Sequence, residues 1–475
     1  MEHQSPHRGR SGLEALSGAA TRAAGRDTIV AAATPPGYGG IAIVRLSGPA
    51  VPEMAVALLG ALPAARLATR ASFRAHDERA IDAGLALYFP SPHSYTGEHV
   101  LELQGHGGPV LVEALIRRAV ALGARRAEPG EFTQRAYLNG KLDLAQAEAV
   151  ADLINAASDA AARAALRSLE GDFSAAVRAL GERLGALRAG VEAAIDFAEE
   201  ELELPADEAL ARELEGAAQA LAALRSSSGH GRVLTEGITI VIAGRPNAGK
   251  STLLNRLVGA EAAIVTPIAG TTRDVLRERI AIDGMPLQVL DTAGLRAGPL
   301  DAIEAEGIRR AQSAMARADR ILFVIDSAAD PEATAFAAER ARLPAAVPIT
   351  LVFNKIDLCA AAAGLAPQGS GGPEVIRLCA RSGEGIEALR SHLKACAGYE
   401  PCADGAISAR GRHVEALARS GAHLAAASQC LARRGGRELI AEELRRAQQA
   451  MGEIIGTESS DELLDRIFAS FCIGK

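Results

Sequence analysis

The spacing of apolar and polar positions divides this chain into stretches of different period. From Asp27 onward, short apolar runs are separated by turn residues: Thr28 to Ala33, then Thr34-Pro35-Pro36-Gly37-Tyr38-Gly39-Gly40, then Ile41 to Leu46. Such punctuation predicts two strands around a loop. Further strands are expected from Leu85 to Phe89 and from Val100 to Leu103, with helical patterns from Val51 to Leu59 and Pro109 to Leu122. Residues 27–140 therefore read as a small α/β domain. Arg45 and Glu102 interrupt the apolar strand patterns, and the pattern by itself favours exposed faces over inward residues facing a ligand.

Beyond Lys141 the period lengthens. Leu142, Ala145, Ala149, Leu153 and Ile154 recur at helical spacing, and the stretch from Leu166 to Leu202 has few Gly or Pro breaks, which predicts long helices. The acidic run from Glu199 to Glu203 reads as a solvated helix end before Pro205. A further helix is expected from Ala206 to Leu224, and Ser226-Ser227-Ser228-Gly229-His230-Gly231 reads as a linker. Helical periodicity returns after about Tyr399, from Arg412 to Arg433, Ala441 to Ile455 and Ser460 to Phe471. Two helical blocks, 141–236 and 399–475, flank an α/β insert at 237–398, as expected of one helical domain split by an insertion between nearby chain ends.

The insert opens with an apolar run, Ile238 to Ala243, followed by Gly244-Arg245-Pro246-Asn247-Ala248-Gly249-Lys250-Ser251 and an amphipathic run from Thr252 to Val258. Strand, glycine-rich loop and helix in that order are the G-x-x-x-x-G-K-[ST] phosphate loop. Its amides turn inward on phosphate oxygens, the helix start adds positive potential, Lys250 supplies a point charge and Ser251 a hydroxyl for Mg²⁺. Gly270-Thr271-Thr272-Arg273-Asp274 then offers a Thr hydroxyl to the same ion. The strand Leu287 to Leu290 ends in Asp291-Thr292-Ala293-Gly294, a carboxylate behind the metal and a glycine amide near the γ-phosphate. After the strands Ile321 to Ile325 and Thr350 to Phe353 comes Asn354-Lys355-Ile356-Asp357. Asp357 can accept from guanine N1 and the 2-amino group, donors that adenine lacks; a site built for them rejects adenine by roughly 10⁴ or more. Cys379-Ala380-Arg381, after the strand Val375 to Leu378, can offer an amide to the guanine oxygen. Where small signalling GTPases place a water-orienting Gln, this chain has Leu295, so another residue must orient water. Arg273, Arg296 or a bound monovalent cation can supply the transition-state charge, and Asn247 offers an amide oxygen inside the phosphate loop.

Composition narrows the setting. The 475 residues, 48% hydrophobic and 23% charged, suffice for several buried cores, and with Trp absent and aromatics at 3% those cores should be aliphatic. A net charge of −7 argues against a chain that coats nucleic acid indiscriminately, while leaving room for a local basic patch. Cys359, Cys379, Cys396, Cys402, Cys430 and Cys472 form no C-x-x-C pair, which fits reduced thiols in the cytoplasm. No apolar run is long enough to span a bilayer, so no stable membrane association is expected. Residues 1–26 mix Arg8, Arg10, Arg22 and Arg26 with Glu2 and Glu14, which favours a disordered leader over a transit peptide.

Taken together, the motifs resemble those of the MnmE, or TrmE, family of tRNA-modification GTPases. The match runs from Asp27 to Lys475 and is carried by Ala33 to Gly37, Tyr95-Thr96-Gly97-Glu98, Gln104 to Gly108, Pro129 to Phe132, Lys141 to Glu148, the GTP motifs and the terminal Phe471-Cys472-Ile473-Gly474-Lys475. The resemblance implies an N-terminal α/β domain similar to tetrahydrofolate-binding modules that also dimerises, a discontinuous helical domain, and an inserted Ras-like P-loop GTPase domain. It implies a homodimer and a heterotetramer with the flavin-dependent MnmG, or GidA, protein, acting on the wobble uridine of certain tRNAs. It further implies that K⁺ is held by Asn247, Thr266, Ile268 and Thr271, within Thr266-Pro267-Ile268-Ala269-Gly270-Thr271-Thr272, where an arginine finger would otherwise sit. Mg²⁺ falls to Ser251 and Thr272, and GTP to the residues from Asn247 to Thr252, Thr266 to Thr272, Asp291 to Gly294, Asn354, Lys355, Asp357 and Cys379 to Arg381. The water-orienting carboxylate matches Glu304, with Glu306 the weaker match. A folate such as 5-formyl-tetrahydrofolate falls to Arg45, Glu102, Lys141 and Lys475, which reverses the preference for exposed strand residues. Cys472 superficially fits a prenylation box, although Gly and Lys suit its last positions poorly. A buried structural thiol is the plainer reading, and the family ties this Cys to the modification reaction. A ribosome-assembly GTPase shares the nucleotide motifs but usually adds a basic RNA-binding module that this chain lacks, and a folate-binding scaffold that merely switches partners is the third reading.

Overall fold

The computed structural model describes residues 27–196, 207–259, 277–291, 315–316, 318–359, 361–366, 372–399, 407–433, 435–457 and 460–474. The chain divides into two compact units: Met1–Ala151 with Ile455–Lys475, and Asp152–Ile454.

In the first unit six strands form one sheet: β1 (Ile29–Ala32), β2 (Gly39–Ser47), β3 (Thr69–Arg74), β4 (Ala80–Phe89), β5 (Val100–Gly107) and β6 (Arg125–Arg126), in the spatial order β3-β4-β5-β2-β1-β6. All pairings are antiparallel except β1 with β6. Period-two alternation gives the sheet two faces. Val44 and Leu46 of β2 and Leu101 and Leu103 of β5 pack with Val51, Met54, Leu58, Leu115 and Ile116 of the helices Val51–Leu59 and Pro109–Ala121. The other face is not bare. Ile29 and Ala31 of β1 pack with Phe132 of the helix Glu131–Leu138. Phe468 and Phe471 join Leu144 and Ala147 in a separate cluster, and the terminal segment then pairs with the sheet-side loop through the Pro129–Ile473 bridge. Gly474 lies so close to β1 that a Cβ there would stand 2.0 Å from the Ala32 carbonyl oxygen, and its φ of 94° is in the left-handed region.

The second unit is centred on seven strands: β7 (Ile238–Ala243), β8 (Arg277–Ile282), β9 (Met285–Asp291), β10 (Arg320–Asp326), β11 (Ile349–Asn354), β12 (Gly364–Leu365) and β13 (Glu374–Arg377), ordered β12-β13-β11-β10-β7-β9-β8. The five central strands are parallel, and the three innermost, β11, β10 and β7, read as nearly continuous apolar runs because both faces are covered. Leu253 and Leu257 of the helix Lys250–Gly259 and Leu389 and Leu393 of the helix Ile386–Ala397 cover one face, and Phe323, Ile325 and Ala335 belong to the core of the other.

Five longer helices belong to the same unit, the last of them up to its final residue: Asp159–Glu170, Asp172–Asp196, Asp207–Thr235, Gly411–Ala432 and Arg437–Ile455. Where long helices were expected from Leu166 to Leu202, the described residues hold two, Asp159–Glu170 and Asp172–Asp196, parted at Gly171, whose φ of 103° ends the first with a left-handed cap. The stretch 226–231 is not a linker. It lies inside the helix Asp207–Thr235, with Ser228 and Gly231 buried, and a Cβ on Gly231 would stand 1.6 Å from the Ile407 carbonyl oxygen. Its small residues let another chain segment approach the helix closely. Asp152, almost buried, accepts from Arg410 at 2.7 Å and from the Ser408 hydroxyl at 2.6 Å, fixing the segment that leads into the helix Gly411–Ala432. Among the described residues no helix is long and apolar enough to cross a membrane.

Candidate functional site

The phosphate loop lies between the end of β7 and the helix Lys250–Gly259. Its first glycine has φ 133°, and a Cβ there would stand 2.2 Å from the Val324 carbonyl oxygen, so glycine is required by both conformation and space. Lys250 Nζ donates to the carbonyl oxygens of Gly244 at 2.9 Å and Arg245 at 2.8 Å, which folds the ammonium back over its own loop. Ala248 is buried, whereas Asn247, Ser251 and Thr252 are exposed. Asn247 has φ 64°, a left-handed conformation that Asn tolerates better than most residues.

Asn354 connects this loop to the loops expected to read the base. Buried at the end of β11, it donates from Nδ2 to the Ala248 carbonyl at 2.9 Å and accepts at Oδ1 from the Ala380 amide at 2.9 Å. Gly249 must be glycine here as well, since its φ is 96° and a Cβ would fall 2.2 Å from Asn354 Nδ2. Lys355, at φ 65°, donates to Asp326 Oδ2 at 2.6 Å across the ends of β11 and β10. That hydrogen bond holds the Asp326 carboxyl below its ordinary pKa. Asp357 follows in a short 3₁₀ turn, Ile356–Leu358, and is exposed. Cys379 and Ala380 are buried, and their amides donate to Glu384 O and Asn354 Oδ1. Of the three residues from which one amide was expected at the guanine oxygen, Cys379 and Ala380 thus donate theirs within the protein. Arg256 holds this loop from the helix side by donating to the Ala380 carbonyl at 3.1 Å and to that of Arg381.

Structure brings together Asn247 to Ser251, Asn354 and Cys379 to Arg381 around one end of the parallel strands. Thr266, Pro267, Ile268, Ala269, Gly270, Thr271, Thr272, Thr292, Ala293, Gly294, Glu304, Glu306 and Lys475 lie outside the described residues, as do Arg273, Leu295, Arg296, residues 1–26 and the acidic run 199–203. Asp291 ends β9, and nothing is described of its side chain.

The first unit holds the other expected site. Arg45 and Glu102 stand directly opposite on β2 and β5, so their side chains share a face. Arg45 donates from Nε to Glu102 Oε1 at 2.9 Å, and both side chains are about five-sixths buried, at 16% and 15% exposure. The guanidinium carbon lies 5.8 Å from the centroids of both the Tyr95 and Phe132 rings. Strand alternation alone pointed outward. The face is instead covered, because the helix Glu131–Leu138 supplies Phe132 to it. Lys141 is exposed and close to Gly97, and among the described residues no ion pair joins it to Glu102. Cys472 is exposed rather than buried, and its carbonyl accepts from the Gly130 amide at 3.3 Å. The buried reading fails because the apolar contacts are made by Phe471 instead.

Sequence reasoning missed the charge cluster behind that pair. Arg135, only 2% exposed, pairs with Asp27 at 2.8 Å, Glu131 at 2.9 Å and Glu98 at 3.1 Å. Arg125 also binds Asp27 and Glu131. Burial alone would push the Glu131 and Asp27 carboxyls up, but the two guanidiniums outweigh it and hold both below their ordinary values. A Glu131–Arg135 pair four residues apart on a helix was the available signal.

Two family descriptions match this chain: the MnmE helical domain over residues 144–472 and the GTP-binding protein TrmE N-terminus over residues 28–141. The chain is 55% identical over 459 residues to the tRNA modification GTPase MnmE of Stutzerimonas stutzeri, covering 95% of this chain and 99% of that one. It is 54% identical to the protein of that description from Alkalilimnicola ehrlichii, over 95% of this chain and 100% of the relative. Identity to that of Yersinia pseudotuberculosis is 53%, over 94% and 99% of the two chains.

Proposed function

This chain belongs to the MnmE family of tRNA modification GTPases, and from that premise we propose that it is a K⁺-activated, Mg²⁺-dependent GTPase that modifies carbon 5 of the wobble uridine of certain tRNAs together with a flavin-dependent MnmG-type partner. The coarser statement, a GTP-hydrolysing enzyme of tRNA modification, rests on one observation, the 55% identity extending over 95% of the chain. The finer reading assigns each site a task. Lys250 and the loop amides hold the β- and γ-phosphates, Asp357 reads guanine, and Ser251 with Thr272 would hold Mg²⁺, which offsets the phosphate charge. Supporting this, Ser251 is exposed at the start of its helix, beside the loop whose backbone cradles anions.

Potassium would be held by Asn247, Thr266, Ile268 and Thr271 and would supply the positive charge that an arginine finger supplies elsewhere. An exposed Asn247 in a left-handed turn fits that role. Glu304 orients water, with Glu306 the alternative. The Arg45–Glu102 pair, walled by Tyr95 and Phe132, suits a folate ring that presents both donors and acceptors, while Lys141 and Lys475 suit its glutamate tail. Residues 27–140 form the folate-binding and dimerising domain, 141–236 and 399–475 the helical domain, and 237–398 the GTPase domain. GTP hydrolysis drives domain rearrangement, the folate supplies the one-carbon unit, and Cys472 serves the modification reaction without an assigned step.

Nucleoside analysis of tRNA from a strain lacking the gene tests this reading. The C5-modified uridine should vanish and return on complementation, whereas an unchanged nucleoside profile would sink it. In vitro, hydrolysis should be faster in K⁺ than in Na⁺ and lost in Glu304→Ala with GTP binding retained. Equal rates in the two salts would remove the cation role of Asn247.

A further inference from the structure

Glu374, His392 and Cys396 meet at the end of the seven-stranded sheet opposite the nucleotide loops. Arg320 opens β10 and Thr350 lies near the start of β11, whereas Asp326 and Asn354 close those strands beside the phosphate and base loops. His392 and Cys396 are four residues apart on the helix Ile386–Ala397 and so share one face of it. Glu374 is the first residue of β13. One ligand atom from each of the three residues lies within 4.8 Å of the others. His392 Nε2 is 3.6 Å from Glu374 Oε2 and 3.4 Å from Cys396 Sγ. Around a tetrahedral ion with N and O ligands at about 2.0–2.1 Å and S at about 2.3 Å, neighbouring ligand atoms stand about 3.3–3.6 Å apart. The spacing of these atoms already suits such an ion.

One cationic nitrogen occupies this point of convergence. The same Arg320 guanidinium nitrogen donates to Glu374 Oε2 at 2.5 Å and to Thr350 Oγ1 at 2.8 Å, and lies 3.3 Å from His392 Nε2. Thr350 Oγ1 is also 2.9 Å from that imidazole nitrogen. A carboxylate oxygen, a hydroxyl oxygen and an imidazole nitrogen thus converge on a single positive centre, with a thiol beside them. His392 is buried and held in place, while Cys396 is exposed and open to ions from solvent.

We propose that this cluster binds a borderline-soft divalent cation of the Zn²⁺ type, with Glu374, His392 and Cys396 as protein ligands and water completing the set. The ion takes the position of the Arg320 nitrogen, and the guanidinium swings aside. One thiolate, one imidazole and one carboxylate select against Mg²⁺, which demands octahedral oxygen ligands. The site therefore does not compete for the ion used at the phosphates.

The test uses the full-length protein, stripped with a chelator, desalted, and loaded with GDP and excess Mg²⁺. Zn²⁺ is titrated against a chromogenic zinc indicator, and Co²⁺ is followed by absorption. We expect one tight Zn²⁺ per chain and a thiolate-to-Co²⁺ charge-transfer band. Changing a group that merely hydrogen-bonds a metal ligand already costs about 10–100-fold in metal affinity, so Cys396→Ser, which loses a ligand at an exposed position, should bind Zn²⁺ at least about 100-fold more weakly and lose the band. Glu374→Gln should weaken binding in the same direction, and Cys430→Ser should leave affinity and band intact. Equal Zn²⁺ affinity in wild type and Cys396→Ser, or a Co²⁺ band that survives in Cys396→Ser, overturns the proposal.

Discussion

The nucleotide site and the Arg45–Glu102 site are built in opposite ways. In the first, residues assigned one task are neighbours in sequence: the phosphate loop from Gly244 to Ser251, the run from Asn354 to Asp357 proposed to read the base, and the loop from Cys379 to Arg381. One buried side chain, Asn354, ties the outer two together through Ala248 and Ala380. In the second, the partners come from separate strands and meet only because the β2–β5 register places them opposite each other. What lies behind them is a buried charge cluster rather than a loop. A contiguous site is disturbed locally, whereas a cross-strand site inherits every disturbance of its unit.

The largest expected effect is on the cross-strand side. Replacing buried Arg135 with Met takes a guanidinium away from Glu98, Glu131 and Asp27, leaving only Arg125 on the last two, and should destabilise the first unit by about 3 kcal/mol. Chemical denaturation measures this, and an unmoved midpoint would show that the cluster does not hold the unit. The corresponding change on the contiguous side is Asn354→Ala, which leaves a buried carbonyl and a buried amide without partners, at about 1–3 kcal/mol each. It should appear chiefly as weaker GTP binding. If GTP affinity is unchanged, the two loops are held by something other than Asn354.

The smallest effect is a pH dependence. Glu131 and Asp27 have folded pKa values below their ordinary values, so their contribution to stability is complete above the unfolded carboxylate pKa of about 4 and is lost as pH falls through the depressed folded values. Acid should therefore weaken the first unit, and Glu131→Gln should flatten that loss. An acid limb equally steep in the variant would assign the pH dependence to other groups.

The same contrast explains what could be read in advance. The phosphate loop and the Asn354–Asp357 run were legible because their chemistry depends on local spacing, and β7, β10 and β11 were legible because buried parallel strands are largely apolar runs. Arg45 and Glu102 were misjudged from pattern because alternation reveals that two faces exist but not that a second helix covers one of them. The stretch 226–231 looked like a linker by composition, yet Ser228 and Gly231 serve close packing inside a helix. The short strand β3 and the helix Glu131–Leu138 escaped notice because their apolar positions are few and their burial comes from tertiary contacts. Cys396 was counted among the cysteines, but its relation to His392 and Glu374 needed the sheet edge to become visible.

The central claim is that a guanine-specific hydrolase is built on Asp357, and exchanging the base together with the residue tests it most directly. Xanthine carries a C2 carbonyl where guanine carries an amino group, so Asp357→Asn, which replaces an acceptor with a donor, should lower kcat/KM for GTP by roughly 10³-fold or more and raise it for XTP, with ATP unused by either protein. A variant that hydrolyses GTP as well as the wild type and gains nothing with XTP would contradict the account.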